Sequence, residues 1–439
     1  MKTIRNFFFG LLAAGGALIA LSCDRQDYPD RFTATQGVPT VHFVRYANMD
    51  ENIDQAYMDE IVCIVGDNLR SVSEVWFNDK KSVLNTSYMT DHTILVSTPK
   101  EQASVQTDMI YLVTASNQTV TYPFKVLPPA PVITGMSCEY APQGSEVKIN
   151  GSYFIDLEYV EFQGANARVN AADLKYTSSE ITLTIPKTAT AGQIKVKTNS
   201  GLSGSPFHYL DSRGMLFTFE DGALQVKGWN PATIVSNPDD GISGNYIQFG
   251  DGDAHGLSGD GGTWSEGAGG YSMPYWPGSW NTPEDYSECP RLTDFADFSN
   301  FANMAIKFEM KISPDTPWKS NAMQIIPAPV TAVTLGKAVE DIDGNQVAGA
   351  NNTYYHDNLD LPRGYYTPWA ATGSFDTGDQ WITVTVPISE FTYGWEGEKA
   401  SGELNANSFT SLLIFFHGGK GADCKPIIKV DNIRAVSIK

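Results

Sequence analysis

The chain has 439 residues, with Lys+Arg 30 against Asp+Glu 50 and a formal net charge of −20. That sign disfavours nucleic acid, anionic lipid and acidic glycans as ligands, because polyanions are repelled rather than steered in. Hydrophobic residues make up 42 %, with Gly 39 and Pro 24, enough apolar material for two to four packed domains punctuated by turns. Aromatics reach 12 % (Trp 9, Tyr 20, Phe 22), so either many rings face solvent or the cores are unusually aromatic.

Lys2 and Arg5 precede an apolar stretch, Phe7 through Leu21, broken by Gly10, Gly15 and Gly16. It is too short for a comfortable membrane span and reads as a signal peptide over 1–22. No second apolar run of spanning length occurs. The stretch ends Ala20-Leu21-Ser22-Cys23, which resembles a lipoprotein lipobox and makes Cys23 the expected acylation site, with 23–39 as an anchor linker. Asp24 and Asp27 resemble the surface-export signal of Gram-negative glycan-harvesting lipoproteins, which implies an outer-membrane, surface-exposed location. Cys63 and Cys138 fall in strand-like runs and are expected as buried thiols. Cys289 and Cys424 fall in loops, and the sequence leaves open whether they pair.

Period-two patterns dominate the rest of the chain, without a long helix. An internal repeat is visible. One copy has Ile64-Val65-Gly66-Asp67-Asn68-Leu69, Val75-Trp76-Phe77, Ile94-Leu95-Val96, Pro99-Lys100 and Pro123-Phe124. The other has Ile149-Asn150-Gly151-Ser152-Tyr153-Phe154, Val160-Glu161-Phe162, Ile181-Thr182-Leu183, Pro186-Lys187 and Pro206-Phe207. Each copy is about the size of an immunoglobulin-like sandwich. The glycine before a bulky residue, the V-x-F strand and the strand ending in Pro-Lys resemble the IPT/TIG family. The resemblance implies domains over 40–127 and 128–211, with Leu127-Pro128-Pro129-Ala130-Pro131 as a stiff boundary. Neither copy offers a cluster of catalytic groups or exposed aromatics, so both read as spacers.

The last domain, 212–439, opens with Phe217-Thr218-Phe219-Glu220-Asp221-Gly222 and closes with Ile427 through Val436. Between them, Ala305–Met310, Met323–Ile326, Trp381–Pro387 and Leu412–Phe416 read as strands separated by long loops, as in a jelly roll. Trp381 sits in a regular strand and is expected in the core. The expected fold is all-β: two tandem immunoglobulin-like (IPT/TIG) sandwiches followed by a larger jelly-roll-like β-sandwich. The F-E-D-G opening, the W-x-x-V-x-V-P strand and the V-D-N-I close resemble carbohydrate-binding β-sandwich modules. In that resemblance Glu220 and Asp431 are candidate positions for a structural calcium; no cofactor is expected.

The stretch Gly259 to Tyr286 holds Trp264, Tyr271, Tyr275, Trp276, Trp280 and Tyr286 among glycines, prolines and acids, with no apolar alternation to bury them. Trp318 comes next in Pro317-Trp318-Lys319; Tyr365, Tyr366 and Trp369 lie in another Gly/Pro-bounded loop, and Trp395 in a fourth. A pyranose presents an apolar face of C–H groups that a planar side chain covers. At roughly 25 cal/mol per Å², a ring covering ~80–100 Å² contributes about 2–2.5 kcal/mol. The expected ligand-binding residues are Trp264, Tyr271, Trp276, Trp280, Trp318, Tyr366 and Trp369, with Asn281, Lys319 and Asn321 selecting hydroxyl orientation and Gln324, Asn358 and Arg363 as further polar candidates. Packing of individual rings onto the sheets is the competing expectation.

Lipobox, tandem IPT/TIG-like repeats and an aromatic-rich C-terminal sandwich together resemble the surface glycan-binding lipoproteins of SusC/SusD-type polysaccharide utilisation systems, the second glycan-binding protein of such systems in particular. The resemblance implies a neutral polysaccharide ligand, xyloglucan or another β-glucan, with a SusC/SusD-type importer and a surface glycoside hydrolase as partners and a monomeric chain. A hydrolase or lyase on the same scaffold is the first alternative, since Asp251, Asp253, Asp260, Glu266, Glu284, Asp285, Glu340, Asp341 and Asp343 are available. None sits in the E-x-D-x-x-E strand pattern of jelly-roll glucanases, and no G-x-S-x-G, HExxH or P-loop occurs, so no enzyme is expected. A protein-binding adhesin is the second alternative. Asp341-Ile342-Asp343-Gly344-Asn345 resembles the start of a calcium loop but lacks the bidentate Glu, and Asp-Gly is also a common hairpin turn. His255, His356 and His417 show no metal-ligand spacing.

Overall fold

The computed structural model describes residues 33–226, 231–236, 239–262, 270–275, 290–329, 339–340, 346–347 and 361–438. Strands, turns and short 3-10 segments account for the described regular structure, and the chain is all-β as expected. It divides into two compact units, one ending at Pro129 and the other starting at Ala130.

The first unit holds one sandwich. Its first sheet runs Asn52–Ile53, Thr40–Tyr46, Ile61–Asp67, Thr93–Ser97, and its second Lys80–Ser82, Val72–Phe77, Met109–Thr114, Thr119–Pro123, all antiparallel. Alternate residues of these strands, among them Val62, Ile64, Val75, Phe77, Ile94, Val96, Ile110 and Leu112, fill the space between the sheets. A parallel pair, Lys125–Leu127 with Gln55–Tyr57, ends the unit.

The second unit begins with a sandwich built the same way. One sheet runs Val132–Met136, Glu146–Ser152, Glu180–Thr184, Lys175–Tyr176; the other runs Arg168–Asn170, Leu157–Gln163, Thr190–Thr198, Gly201–Tyr209. The repeated glycine has one physical cause in both copies. A Cβ on Gly66 would sit 1.8 Å from the Thr40 carbonyl, and one on Gly151 2.0 Å from the Val132 carbonyl. In each case the opening strand carries a bulge just beyond that carbonyl. Two residues on, Asn68 and Tyr153 both adopt positive φ, 57° and 59°. The sequence match between the copies is therefore a match of backbone geometry.

The larger sandwich comes after it. Its six-stranded sheet runs Thr233–Ser236, Asn245–Phe249, Ile428–Ser437, Met304–Ile312, Ile382–Pro387, with Met215–Phe217 also pairing onto Ile428–Ser437. Its four-stranded sheet runs Ser272–Tyr275, Ser411–His417, Ala322–Ala328, Gly364–Tyr366. Met304, Ile306, Phe308, Met310 and Ile312 from one sheet meet Met323, Ile325, Leu412, Ile414 and Phe416 from the other. Trp381 departs from expectation. It lies just before its strand, half-buried on the far side of the six-stranded sheet, edge-on to Tyr246 at 5.8 Å, and its indole N–H donates to the Asp240 carbonyl. Residue parity explains this: Val384 and Val386 point into the core, so 381 points away. Val339–Glu340 and Gln346–Val347 pair antiparallel; the Asp341–Asn345 segment between them lies outside the described residues.

Candidate functional site

Several rings expected on the surface plug the core. Trp318 is fully buried; it bridges to Phe375, packs on Phe416 at 5.3 Å and Tyr366 at 6.0 Å, and donates its indole N–H to the carbonyls of Ser320 (2.6 Å) and Asn321 (3.1 Å). Trp369 is buried too, and its indole N–H donates to the same Asn321 carbonyl at 3.1 Å. Asn321 itself is fully buried at φ 60°, its amide donating to the carbonyls of Gly261 and Gly262. Tyr271 is buried against Phe416, its hydroxyl donating to the Pro426 carbonyl, and burial pushes that phenol well above its usual range. A buried indole or phenol needs a partner for its polar tip. Here backbone carbonyls of the sheet ends supply it, which lets loop residues fold inward. Tyr271, Trp318, Trp369 and Asn321 are thus buried in the fold, where the sequence reading expected exposed ligand contacts. Tyr366 is half-buried behind Trp318, with its phenol pushed up to about 12 by burial, and Lys319 is half-buried. Trp264, Trp276, Trp280 and Asn281 lie outside the described residues, as do Cys23, Cys289, Asn358 and His356. Cys63 and Cys138 are buried thiols, and Cys424 is a half-buried free thiol 3.5 Å from Ser320 Oγ.

The other face of the four-stranded sheet holds a different set. Because Met323, Ile325, Leu412, Ile414 and Phe416 point into the core, Gln324, Leu413, Phe415 and His417 point out, and Tyr365 shares their side. The Trp395 ring lies flat on His417 (3.7 Å between centroids, 14° between planes) and parallel to Phe415 at 5.6 Å. Tyr365 and Tyr393 face one another at 5.2 Å and 31°, with Tyr393 38 % exposed. Gln324 fixes the arrangement. Its side-chain N–H groups donate to the carbonyls of Trp395 (2.7 Å) and His417 (3.0 Å), and its Oε1 accepts from Arg363. The Arg363 guanidinium stands 5.8 Å from the Trp395 ring, and Glu396 pairs with His417 Nε2 at 2.9 Å. Burial pushes the Tyr365 phenol up to about 12, with the Glu396 and Glu398 charges adding to the effect. Reading by loops picked out Trp395 and Tyr365, with Gln324 and Arg363 buried beneath them, but missed exposed Tyr393 and the buried Phe415 and His417 on which Trp395 rests. Strand parity was the available signal, since 413, 415 and 417 must share the side opposite the core residues 412, 414 and 416.

Glu220 lies near enough to Asp431 for its charge to act on that carboxyl. Glu220 accepts from the Asn245 N–H, and Asp431 accepts from Ser243 Oγ and the Asn432 N–H. Among the described residues no group of three or more His, Cys, Asp or Glu side chains is placed to hold a metal ion. Burial raises the Asp431 carboxyl to about 7, and the nearby charges of Glu309 and Glu220 push the same way. Desolvation and like charge both favour the protonated form here.

Comparison with known proteins gives the site its context. Residues 209–437 match the family model described as the surface glycan-binding protein B xyloglucan binding domain. The chain is similar to the crystal structure of surface glycan-binding protein B from Prevotella bryantii, at 39 % identity and a TM-score of 0.76, over 92 % of this chain and 100 % of that one. It also resembles an IPT/TIG domain-containing protein of Bacteroides ovatus, 25 % identical over 42 % of this chain and 40 % of the relative, so the match spans less than half of that curated protein. Among the described residues no helix is long and apolar enough to cross a membrane. A half-length family match, with a solved relative aligned over its whole length, places this chain in the family of surface glycan-binding proteins of the B type.

Proposed function

We propose that the chain is a cell-surface lipoprotein, anchored through Cys23 to the outer membrane, that captures xyloglucan or a related neutral β-glucan and hands it to a SusC/SusD-type importer and a surface glycoside hydrolase. It acts by binding, not catalysis. The observation that carries the ligand class is the set of half-buried Trp395 and Tyr365 with exposed Tyr393 on the outer face of the four-stranded sheet, seated over buried Phe415 and His417, within the span matched by the xyloglucan-binding family model. Flat rings clamped by Gln324 and Arg363 suit the C–H faces of a neutral sugar chain at little entropic cost. Trp264, Trp276 and Trp280 belong to the same proposal by composition, as does Asn281 as a hydrogen-bonding partner; Lys319 and Tyr366 are assigned supporting places around it. The non-catalytic reading has support from the carboxylates. Asp251 accepts from the N–H groups of Asp253 and His255 and pairs with the His255 ring, and Asp260 accepts from the Gly262 N–H, so both have a structural use in their loops.

Affinity electrophoresis of the full chain in gels containing xyloglucan, mixed-linkage β-glucan or an anionic glycan tests the ligand class. Retardation by the neutral β-glucans alone is the expected result. Retardation by the anionic glycan alone, or release of reducing sugar at catalytic protein levels, would overturn it.

A further inference from the structure

From its sequence the outer face of the six-stranded sheet should be a solvent face. Lys307, Glu309 and Lys311 alternate with core residues along one strand, and Thr383 and Arg434 occupy outward positions on its two neighbours. Yet Glu309 and Arg434 are fully buried and Lys307 is only 5 % exposed. The cover is the second immunoglobulin-like sandwich. Glu139, just past its Val132–Met136 strand, reaches between the two cations: Lys307 Nζ donates to Oε1 at 2.5 Å, and Arg434 Nη2 donates to Oε2 at 2.8 Å. Arg434 also grips Glu309 with both terminal nitrogens, at 2.8 and 3.1 Å, and Thr383 Oγ1 donates to Glu309 at 2.9 Å. The backbones join the same network. The Thr383 N–H donates to the Ser137 carbonyl, and the Glu139 N–H donates to Thr383 Oγ1. Rings of the second sandwich complete the enclosure, with Tyr140 4.9 Å from the Arg434 guanidinium and Phe207 5.4 Å from the Lys307 ammonium.

The charges decide what this contact means. The enclosure holds two cations, Lys307 and Arg434, and two carboxylates, and one of those carboxylates belongs to the neighbouring sandwich. Removing a partner from such a set leaves an uncompensated buried charge, far costlier than losing a surface pair. Burial of this kind demands accurate geometry, so it fixes orientation as well as contact. The connecting segment is pinned too: the Leu210 N–H donates to the Glu139 carbonyl, the Tyr140 hydroxyl to the Asp211 carbonyl, and the Ala435 N–H to the Gly214 carbonyl. We infer that the second sandwich is not a spacer but a structural half of the binding domain, with Glu139 supplying the counter-charge that lets residues 130–437 fold and melt as one body. A fragment starting at residue 212 would lose this cover and open Lys307, Arg434 and the sheet face around them to water.

Calorimetry and native-state hydrogen exchange on the full chain test this without any glycan, so the result is independent of the ligand reading. The expected outcome is a shared opening transition for the Glu146–Ser152 and Thr190–Thr198 strands and the Met304–Ile312 and Ile428–Ser437 strands. Glu139→Gln should lower that shared midpoint by about 10 °C. The double variant Glu139→Gln/Lys307→Gln, which restores one cation to one carboxylate, should melt above Glu139→Gln alone; it carries the test even if the single variant does not fold. Separate transitions for the two sandwiches in the wild type would overturn the inference. So would a double variant that melts lower than Glu139→Gln by the full effect of Lys307→Gln.

Discussion

Trp318 and Trp369 come from loops of much the same composition as those that carry Trp395, Tyr365 and Tyr393, yet the two sets end on opposite sides of the Ala322–Ala328 strand. The first pair turns inward, and both indoles donate to one carbonyl, that of Asn321. The second set lies on the outward side, where Trp395 rests flat on His417 and its own carbonyl is held by Gln324. Glycine and proline around an aromatic residue therefore say nothing about exposure. What separates the sets is an acceptor at the buried end of the sheet for one and strand parity for the other.

This contrast can be broken by substitution. Trp318→Ala removes a fully buried indole and should cost about 3–5 kcal/mol, read as a lower denaturation midpoint with unchanged slope for the full chain. Glycan affinity measured well below that midpoint should change little; a stable variant with lost affinity would return Trp318 to the binding face.

Burial leaves a charge signature on the six-stranded sheet as well, at Asp431 beside Glu309. Asp431 is buried and its carboxyl titrates near 7, against an unfolded value near 3.8. Between those values the folded chain holds the extra proton, so stability is full below about pH 4, falls as pH rises towards 7, and levels off above it. The penalty is at most about 4 kcal/mol. Asp431→Asn should remove this slope and raise the melting midpoint at pH 7. A lower midpoint, together with a drop on adding EDTA to the wild type, would instead reveal a cation between Glu220 and Asp431.

Effects on the outward side should be smaller in stability and visible in binding. Trp395→Ala should weaken β-glucan binding roughly ten- to fifty-fold by titration calorimetry, the loss of one ring-to-sugar contact, while the melting midpoint shifts by no more than a few degrees. Unchanged affinity would detach Trp395 from the site. Glu396→Gln should be the mildest change. Its pair with His417 is largely exposed on the Glu396 side, so at most about fivefold in affinity is at stake.

The sequence carried much of this but not all. The two small sandwiches were legible because Gly66 and Gly151 answer the same close approach of a carbonyl, a backbone demand that leaves a fixed mark on residue choice. Strands such as Met304–Ile312 were legible from alternation. The inward indoles were not, because their acceptors are backbone carbonyls that no residue type announces. The buried ion network was not either: Lys307, Glu309 and Arg434 look like solvent-facing charges until Glu139, far away in sequence, is brought against them. The contact of the second repeat with the last sandwich through Glu139 was hidden by the same blind spot.

The most direct measurement is oxidative footprinting of aromatic side chains in the full chain, with and without a xyloglucan oligosaccharide. Tyr88 and Tyr176, exposed on the two immunoglobulin-like sandwiches, serve as internal references. Protection of Trp395 and Tyr393, with Tyr88 and Tyr176 unchanged, is the predicted result. Saturating sugar that leaves Trp395 and Tyr393 as reactive as before would contradict the assignment of this face.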